Sequence, residues 1–281
     1  MFGQENPRTG VPTPGSHYRG AVPFTLAHPA AVLPLRRVGL PLAAMVCGSM
    51  VPDVPLFVRG IVTYGFTHSL LGVVTADLAL AVTAVAAWCW VLRDAVVDLS
   101  PAVVRERLPP RARYSAREWA LVVPASVVGS FSHVAWDAFT HRGRWGVERI
   151  GWLHTTHGGL PGYQWAQYTS GVAGLAVVVL WTLEYLGRRS PQGRPRRVRT
   201  PGTKILLASA AAVTATAAVA AGTRTSAGLH AMAYRGAVWG TEALGAGVCL
   251  LAVTWQLAAR RTAPPAGGEP APRTTGDATP R

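Results

Sequence analysis

Five blocks of apolar residues are separated by short polar stretches that carry most of the charge. Leu70–Leu92, Trp119–Phe139, Ala166–Leu186, Lys204–Gly222 and Gly236–Ala258 each approach the roughly 20 residues a helix needs to cross a bilayer. Leu40–Val58 is a sixth, weaker block, interrupted by Pro52, Asp53 and Pro55. The pattern predicts an all-α polytopic membrane helical bundle with five or six transmembrane helices. It divides the chain at 1–22, a disordered tail or start-site artefact; 23–186, a membrane core; 187–203, a basic cytoplasmic loop; 204–258, two supporting transmembrane helices; and 259–281, a disordered C-terminal tail rich in Pro, Ala, Gly and Thr.

Composition agrees with this reading. Charged residues make up 14% of the chain, well below the roughly 25% of an average soluble domain. The net charge of +14 could signal nucleic acid, but the arginines lie in loops between apolar blocks, so no nucleic-acid partner is expected. The loop after the Leu70 block holds Arg93, Arg105, Arg107, Arg111, Arg113 and Arg117, and the loop after the Ala166 block holds Arg188, Arg189, Arg194, Arg196, Arg197 and Arg199. The alternate loops are poorer, with Arg142, Arg144 and Arg149 in one and Arg224 and Arg235 in the other. Arginine-rich loops stay on the cytoplasmic side. The expected location is a bacterial cytoplasmic (inner) membrane, crossed several times. Cys47, Cys89 and Cys249 lie in apolar stretches without C-x-x-C spacing and read as small core residues.

The chemistry-bearing residues interrupt the apolar blocks. His133, Asp137 and His141 are spaced by four, which puts them on one face of a helix. Asp53 sits in Gly48-Ser49-Met50-Val51-Pro52-Asp53, and His68 in Phe66-Thr67-His68-Ser69. Under the charge-derived topology, the Leu70 block runs outside to inside and the Trp119 block inside to outside. His68, His133, Asp137 and His141 therefore approach one outer surface, and Asp53 joins them if Leu40–Val58 crosses. Ionisable groups in a membrane segment usually have a function, and imidazoles with carboxylates are ligands of zinc and similar cations. The expected ligands are Asp53, His68, His133 and Asp137, with His28 and His141 as further candidates, and the expected cofactor is a divalent metal such as zinc. Asp137 could alternatively orient a histidine. His28 precedes Arg36-Arg37 and reaches the site only if Pro23–Leu35 is re-entrant or Leu40–Val58 does not fully cross. Helix–helix hydrogen bonding without metal is the plainer reading of the same residues.

Other polar residues fit less well. Asp77 lies nine residues after His68, on the opposite helix face, and is expected to pair with another span. His154 and His157 sit in a Gly-rich loop, where solvation is the usual state of histidine. Trp145, Trp152 and Trp165 read as an interfacial belt. Gly236-x-x-x-Gly240 and Gly245-x-Gly247 offer small faces for helix packing or for a homo-oligomer built through the C-terminal helices.

The stretches Pro23-Phe24-Thr25-Leu26-Ala27-His28-Pro29, Gly48-Ser49-Met50-Val51-Pro52-Asp53, Phe66-Thr67-His68-Ser69-Leu70-Leu71-Gly72 and Ser132-His133-x-x-Trp136-Asp137-x-Phe139-Thr140-His141 together resemble an uncharacterised bacterial integral-membrane family, the domain of unknown function catalogued as four-one-eight-four. The resemblance runs from about Pro23 to Leu186. Members of that family begin near Met-Pro-Phe-Thr, which aligns with Val22-Pro23-Phe24-Thr25 and underlies the start-site alternative. More distantly, the order Asp53, His68, His133-x-x-x-Asp137 is similar to the inner-membrane metal-dependent hydrolases and to the zinc-dependent phospholipase C and single-strand nuclease superfamily. In those proteins the matching residues bind zinc, and metal-activated water attacks a phosphodiester. The soluble enzymes carry a further His-x-x-x-Glu helix that this chain lacks, which leaves His141 or the His154-Thr155-Thr156-His157 pair to fill a multinuclear site. The resemblance implies a membrane-bound metal-dependent hydrolase near the extracytoplasmic face. Location adds membrane lipids as partners and a lipid or lipid-linked phosphoester as substrate. The alternative is a non-catalytic membrane protein that binds or transports a metal ion or proton.

Overall fold

Residues 25–109, 113–198, 202–223 and 229–261 are described by a computed structural model. The expected N-terminal tail, most of the expected C-terminal tail, and Arg111, Arg199 and Arg224 lie outside them. Among the described residues the fold is helical, apart from a two-residue antiparallel ladder that pairs Thr156 with Pro161 and His157 with Leu160.

Apolar length dictates the long elements. We label them α1 (Leu42–Gly48), α2 (Leu70–Leu99), α3 (Ala116–Thr140), α4 (Gly162–Gly187), α5 (Gly202–Gly222) and α6 (Leu229–Arg261). Among the described residues, four stretches are long and apolar enough to cross a membrane: Leu70–Leu99, Ala116–Arg149, Gly162–Gly187 and Met232–Arg261. Their outer faces carry large apolar side chains such as Leu70, Phe131, Val172, Leu180 and Leu250, all exposed. A surface of that kind suits hydrocarbon better than water. α3 begins on a capping box: the Ser115 hydroxyl accepts from the Glu118 amide, and the Glu118 carboxylate accepts from the Ser115 amide.

The sixth apolar block departs from a simple span. Leu40–Val58 forms α1, a 3-10 turn at Val51–Asp53 and a short helix at Val54–Phe57. α1 has only 7 residues, about 10 Å of rise, and Pro52 and Pro55 remove amide donors just beyond it. The segment therefore makes no single crossing helix, and its break delivers Asp53 to the interior, where it is buried.

α1 is clamped against α3 by small residues. A side-chain carbon at Gly48 would lie 2.3 Å from the Ser126 carbonyl oxygen, and one at Gly129 would lie 2.2 Å from that of Met45. Only glycine permits that approach. Ser130 Oγ then donates to the Gly48 carbonyl at 3.1 Å. Beside this contact Val32, Ala44, Met45, Val85, Val122 and Ala125 form the main apolar core.

The C-terminal pair docks on the far end of α2. Ala95 and Leu99 pack with Ala252, Trp255 and Ala259. Buried Asp98 accepts from Trp255 Nε1 at 2.7 Å and from the amides of Arg197 and Val198. Gly236 and Gly240 face Ala217 of α5 within the same chain, which accounts for that small-residue face by intramolecular packing. The two arginine-rich loops meet at this end: Arg105 Nε donates to the Arg194 carbonyl at 3.1 Å, and Arg194 Nη1 to that of Leu108 at 2.9 Å.

Candidate metal centre

Three segments converge at the other end of the α2–α3 pair. α3 presents His133 and Asp137 one turn apart, the break after α1 supplies Asp53, and the turn before α2 supplies His68. All four are buried. One donor atom from each lies within 4.8 Å of every other. His133 Nε2 is 3.5 Å from Asp53 Oδ1 and 3.5 Å from Asp137 Oδ2. His68 Nε2 is 3.1 Å from Asp137 Oδ2 and 3.8 Å from Asp53 Oδ1. Ligands each ~2.0 Å from a tetrahedral ion sit roughly 3.3 Å apart, so the spacing is that of a ligand shell.

The backbone fixes how the rings are protonated. His133 Nδ1 lies 2.8 Å from the Ser49 carbonyl, and His68 Nδ1 lies 3.0 Å from that of Tyr64. A carbonyl only accepts, so each Nδ1 carries the hydrogen, and in the neutral ring each Nε2 is a lone pair. Both lone pairs point at carboxylate oxygens, which are also acceptors, and His133 Nε2 has no hydrogen-bond partner. Only positive charge between them, from a metal ion or a second ring proton, makes the arrangement attractive. Burial pushes the His68 imidazole below its ordinary pKa, against the pull of Asp137, which favours the neutral ring that a metal requires. The group Asp53, His68, His133 and Asp137 could hold a metal ion.

A surrounding layer holds these side chains in place. Thr25 Oγ1 donates to Asp53 Oδ2 at 2.5 Å, and Thr67 Oγ1 donates to the Pro52 carbonyl at 2.8 Å, tying the two turns together. Tyr64 O–H donates to Asp137 Oδ2 at 3.3 Å. Burial raises the Tyr64 phenol well above its usual pKa, so it remains a donor. The Arg144 guanidinium lies 5.7 Å over the Tyr64 ring.

The two further ligand candidates also arrive, on the opposite oxygen of Asp137. His28 Nε2 is 3.3 Å and His141 Nδ1 3.2 Å from Asp137 Oδ1. His28 stacks on His133 with ring centroids 3.8 Å apart. It reaches the site on a run of short helical turns over residues 25–37, beside the broken Leu40–Val58 segment.

Other residues stay apart. His157 Nε2 bonds the Trp152 carbonyl at 2.9 Å, its ring stacks on Trp152, and His154 is exposed. Neither joins the four-residue group. Asp77 is fully buried outside that group, and among the described residues neither of its oxygens has a hydrogen-bond partner, so the pairing expected for it is not found there. Ser49, Thr25, Thr67 and Tyr64 were missed by sequence reasoning. Ser49 and Tyr64 orient histidines through main-chain carbonyls, which no side-chain identity encodes. The available signals were Gly48 in front of Ser49 and the presence of Thr25, Ser49 and Thr67 in the stretches that carry the family resemblance.

No curated protein and no solved structure matches the chain. A family model described as a domain of unknown function (DUF4184) matches residues 22–254, past the expected limit near Leu186 and through most of the C-terminal pair. The chain belongs to that family.

Proposed function

We propose that the protein is a membrane-bound metal-dependent hydrolase that acts on a lipid or lipid-linked phosphoester, with its site towards the extracytoplasmic face. One observation carries the reading. Two imidazoles, locked by the Ser49 and Tyr64 carbonyls, aim Nε2 lone pairs at two carboxylates. A divalent cation held by Asp53, His68, His133 and Asp137 would polarise the scissile group and make water a stronger nucleophile at neutral pH.

The chain's own residues supply the rest. Tyr64 stays protonated and steadies Asp137. Arg144, half-buried, places a cation beside His68 through its contact with that residue's carbonyl at 3.5 Å, which suits an anionic phosphoester. The side of the membrane follows from the two arginine-rich loops, which meet at the opposite end of the bundle. An apolar outer surface on the long helices brings lipids to the site.

A second reading, ion or proton transport, draws on Asp77, which is buried in α2 with both oxygens unpartnered. Elemental analysis of detergent-purified protein, beside a His133→Ala/Asp137→Ala variant, tests the metal. A screen of lipid phosphoesters with the metal-loaded protein tests turnover. At least one metal equivalent and hydrolysis, both lost in the variant, are the expected results. Metal binding without hydrolysis of any phosphoester, together with ion flux in liposomes, would favour transport. No metal even after reconstitution would end both metal readings.

A further inference from the structure

The start of α4 and the hairpin before it enclose a cleft that the metal centre does not use. Its volume is ≈ 630 Å³, and Trp152, His157, Gly158, Trp165, Ala166 and Thr169 line it. Ligand pockets fall in the range of about 300–1,000 Å³. The walls are fixed from several sides. Trp165 Nε1 donates to the His157 carbonyl at 2.8 Å. The His157 ring stacks on Trp152 with centroids 4.8 Å apart, and its Nε2 bonds the Trp152 carbonyl at 2.9 Å. Gly158 and Gly159 turn the hairpin at φ of 58° and 88°, a conformation that favours glycine. A tryptophan that only marks a membrane interface offers its N–H to headgroups or water. Trp165 gives its N–H to the protein instead. The two polar side chains of the lining are also committed to the backbone, since Thr169 Oγ1 donates to the Trp165 carbonyl at 2.6 Å. What the cleft offers a ligand is therefore aromatic and aliphatic surface.

We propose that this cleft binds the hydrocarbon chain of a membrane lipid, and that in the hydrolase this chain belongs to the substrate, so that a lipid is chosen over a water-soluble ester with the same headgroup. Placement favours this occupant. Trp165, Thr169 and Val172 recur at spacings of four and three, which makes them one stripe along α4, and all three are exposed. The cleft is thus continuous with the apolar surface of that helix. Gln167, two residues past Trp165, points the opposite way. There its amide nitrogen lies 3.2 Å from His141 Nε2, and His141 Nδ1 lies 3.2 Å from Asp137 Oδ1. One helix, about 10 Å across, separates the cleft from the metal centre. A lipid tail spans half of a roughly 30 Å hydrocarbon core, so a single lipid reaches both.

Chain binding needs only the cleft, whereas its part in catalysis rests on the hydrolase reading, and two readouts keep them apart. The full chain is placed in phosphatidylcholine vesicles doped with a phosphatidylglycerol that carries a diazirine on one acyl chain, and the photolabelled residues are mapped by peptide mass spectrometry. Thr169→Phe fills the cleft and disturbs no other element, because the hydroxyl it removes bonds within its own helix. Val172→Phe, on the same stripe beyond the cleft, is the control. Label should gather on Trp152, Trp165 and Ala166, and leave them in Thr169→Phe but not in Val172→Phe. In the metal-loaded protein Thr169→Phe should raise KM for a long-chain phosphoester about tenfold, the equivalent of roughly two buried methylenes. It should leave kcat and the constants for a short-chain soluble ester unchanged, as lost ground-state binding does. Label spread evenly over the cleft, Leu180 and Leu250, and unaltered in Thr169→Phe, overturns the chain site whether or not phosphoesters are hydrolysed. Label gathered in the cleft of a protein that hydrolyses no phosphoester upholds chain binding and ends the hydrolase reading.

Discussion

Replacing Gly129 by alanine is the sharpest test of how the fold makes the site. The new methyl carbon would sit 2.2 Å from the Met45 carbonyl oxygen and 2.8 Å from the Ser49 amide nitrogen. The first contact is roughly 1 Å inside van der Waals separation. Both obstacles are main-chain atoms of the α1 segment, so no side-chain rotation relieves them, and α1 must move away from α3. Overpacking of this kind costs about 1–3 kcal/mol. The functional loss should exceed what that figure suggests. The same shift carries the Ser49 carbonyl off His133 Nδ1, now 2.8 Å away, and carries Asp53 off His133 Nε2, now 3.5 Å away. A metal site needs its ligands within ~0.5 Å of the productive geometry, and disturbing an outer partner alone weakens binding by about 10–100-fold. Metal affinity, measured by competition with a chromogenic chelator, should fall at least that far while the circular dichroism stays helical. Gly65→Ala is the control, because nothing lies within 4 Å of its added carbon. Unchanged affinity in Gly129→Ala would refute the idea that this contact sets the ligand geometry.

Three further outcomes follow from the same coordinates. Asp98→Ala leaves the Trp255 indole and two amides without their acceptor; it should cost about 3 kcal/mol and speed proteolysis near α6 without releasing the metal, and unaltered thermal unfolding in detergent would contradict this. Ser115→Ala removes the α3 cap and should cost about 1 kcal/mol in the same unfolding assay. Tyr64→Phe removes the hydroxyl on Asp137 but keeps the ring under Arg144; metal should stay bound with an affinity loss of about tenfold, and complete loss would make Tyr64 more than an orienting group.

The sequence by itself determined the helical class and the elements that carry the chemistry. Apolar runs near bilayer length are self-sufficient signals, because a helix satisfies its own backbone whatever its neighbours are. The spacing of His133, Asp137 and His141 also needed no tertiary information, since helix periodicity alone puts them on one face. Charge bias between loops was enough to bring His68 and Asp137 to the same end. The tertiary structure decided the rest. Leu40–Val58 reads as apolar by composition, but Pro52 and Pro55 and the clamp of Gly48 on Gly129 turn it into a broken segment that drops Asp53 beside His133. His28 and His141 read as extra ligands of one site, yet they sit on the far oxygen of Asp137. Which oxygen of a carboxylate faces which ring, and which main-chain carbonyl takes the proton of each imidazole, depends on contacts between segments as far apart as 109 residues. No local pattern encodes those contacts.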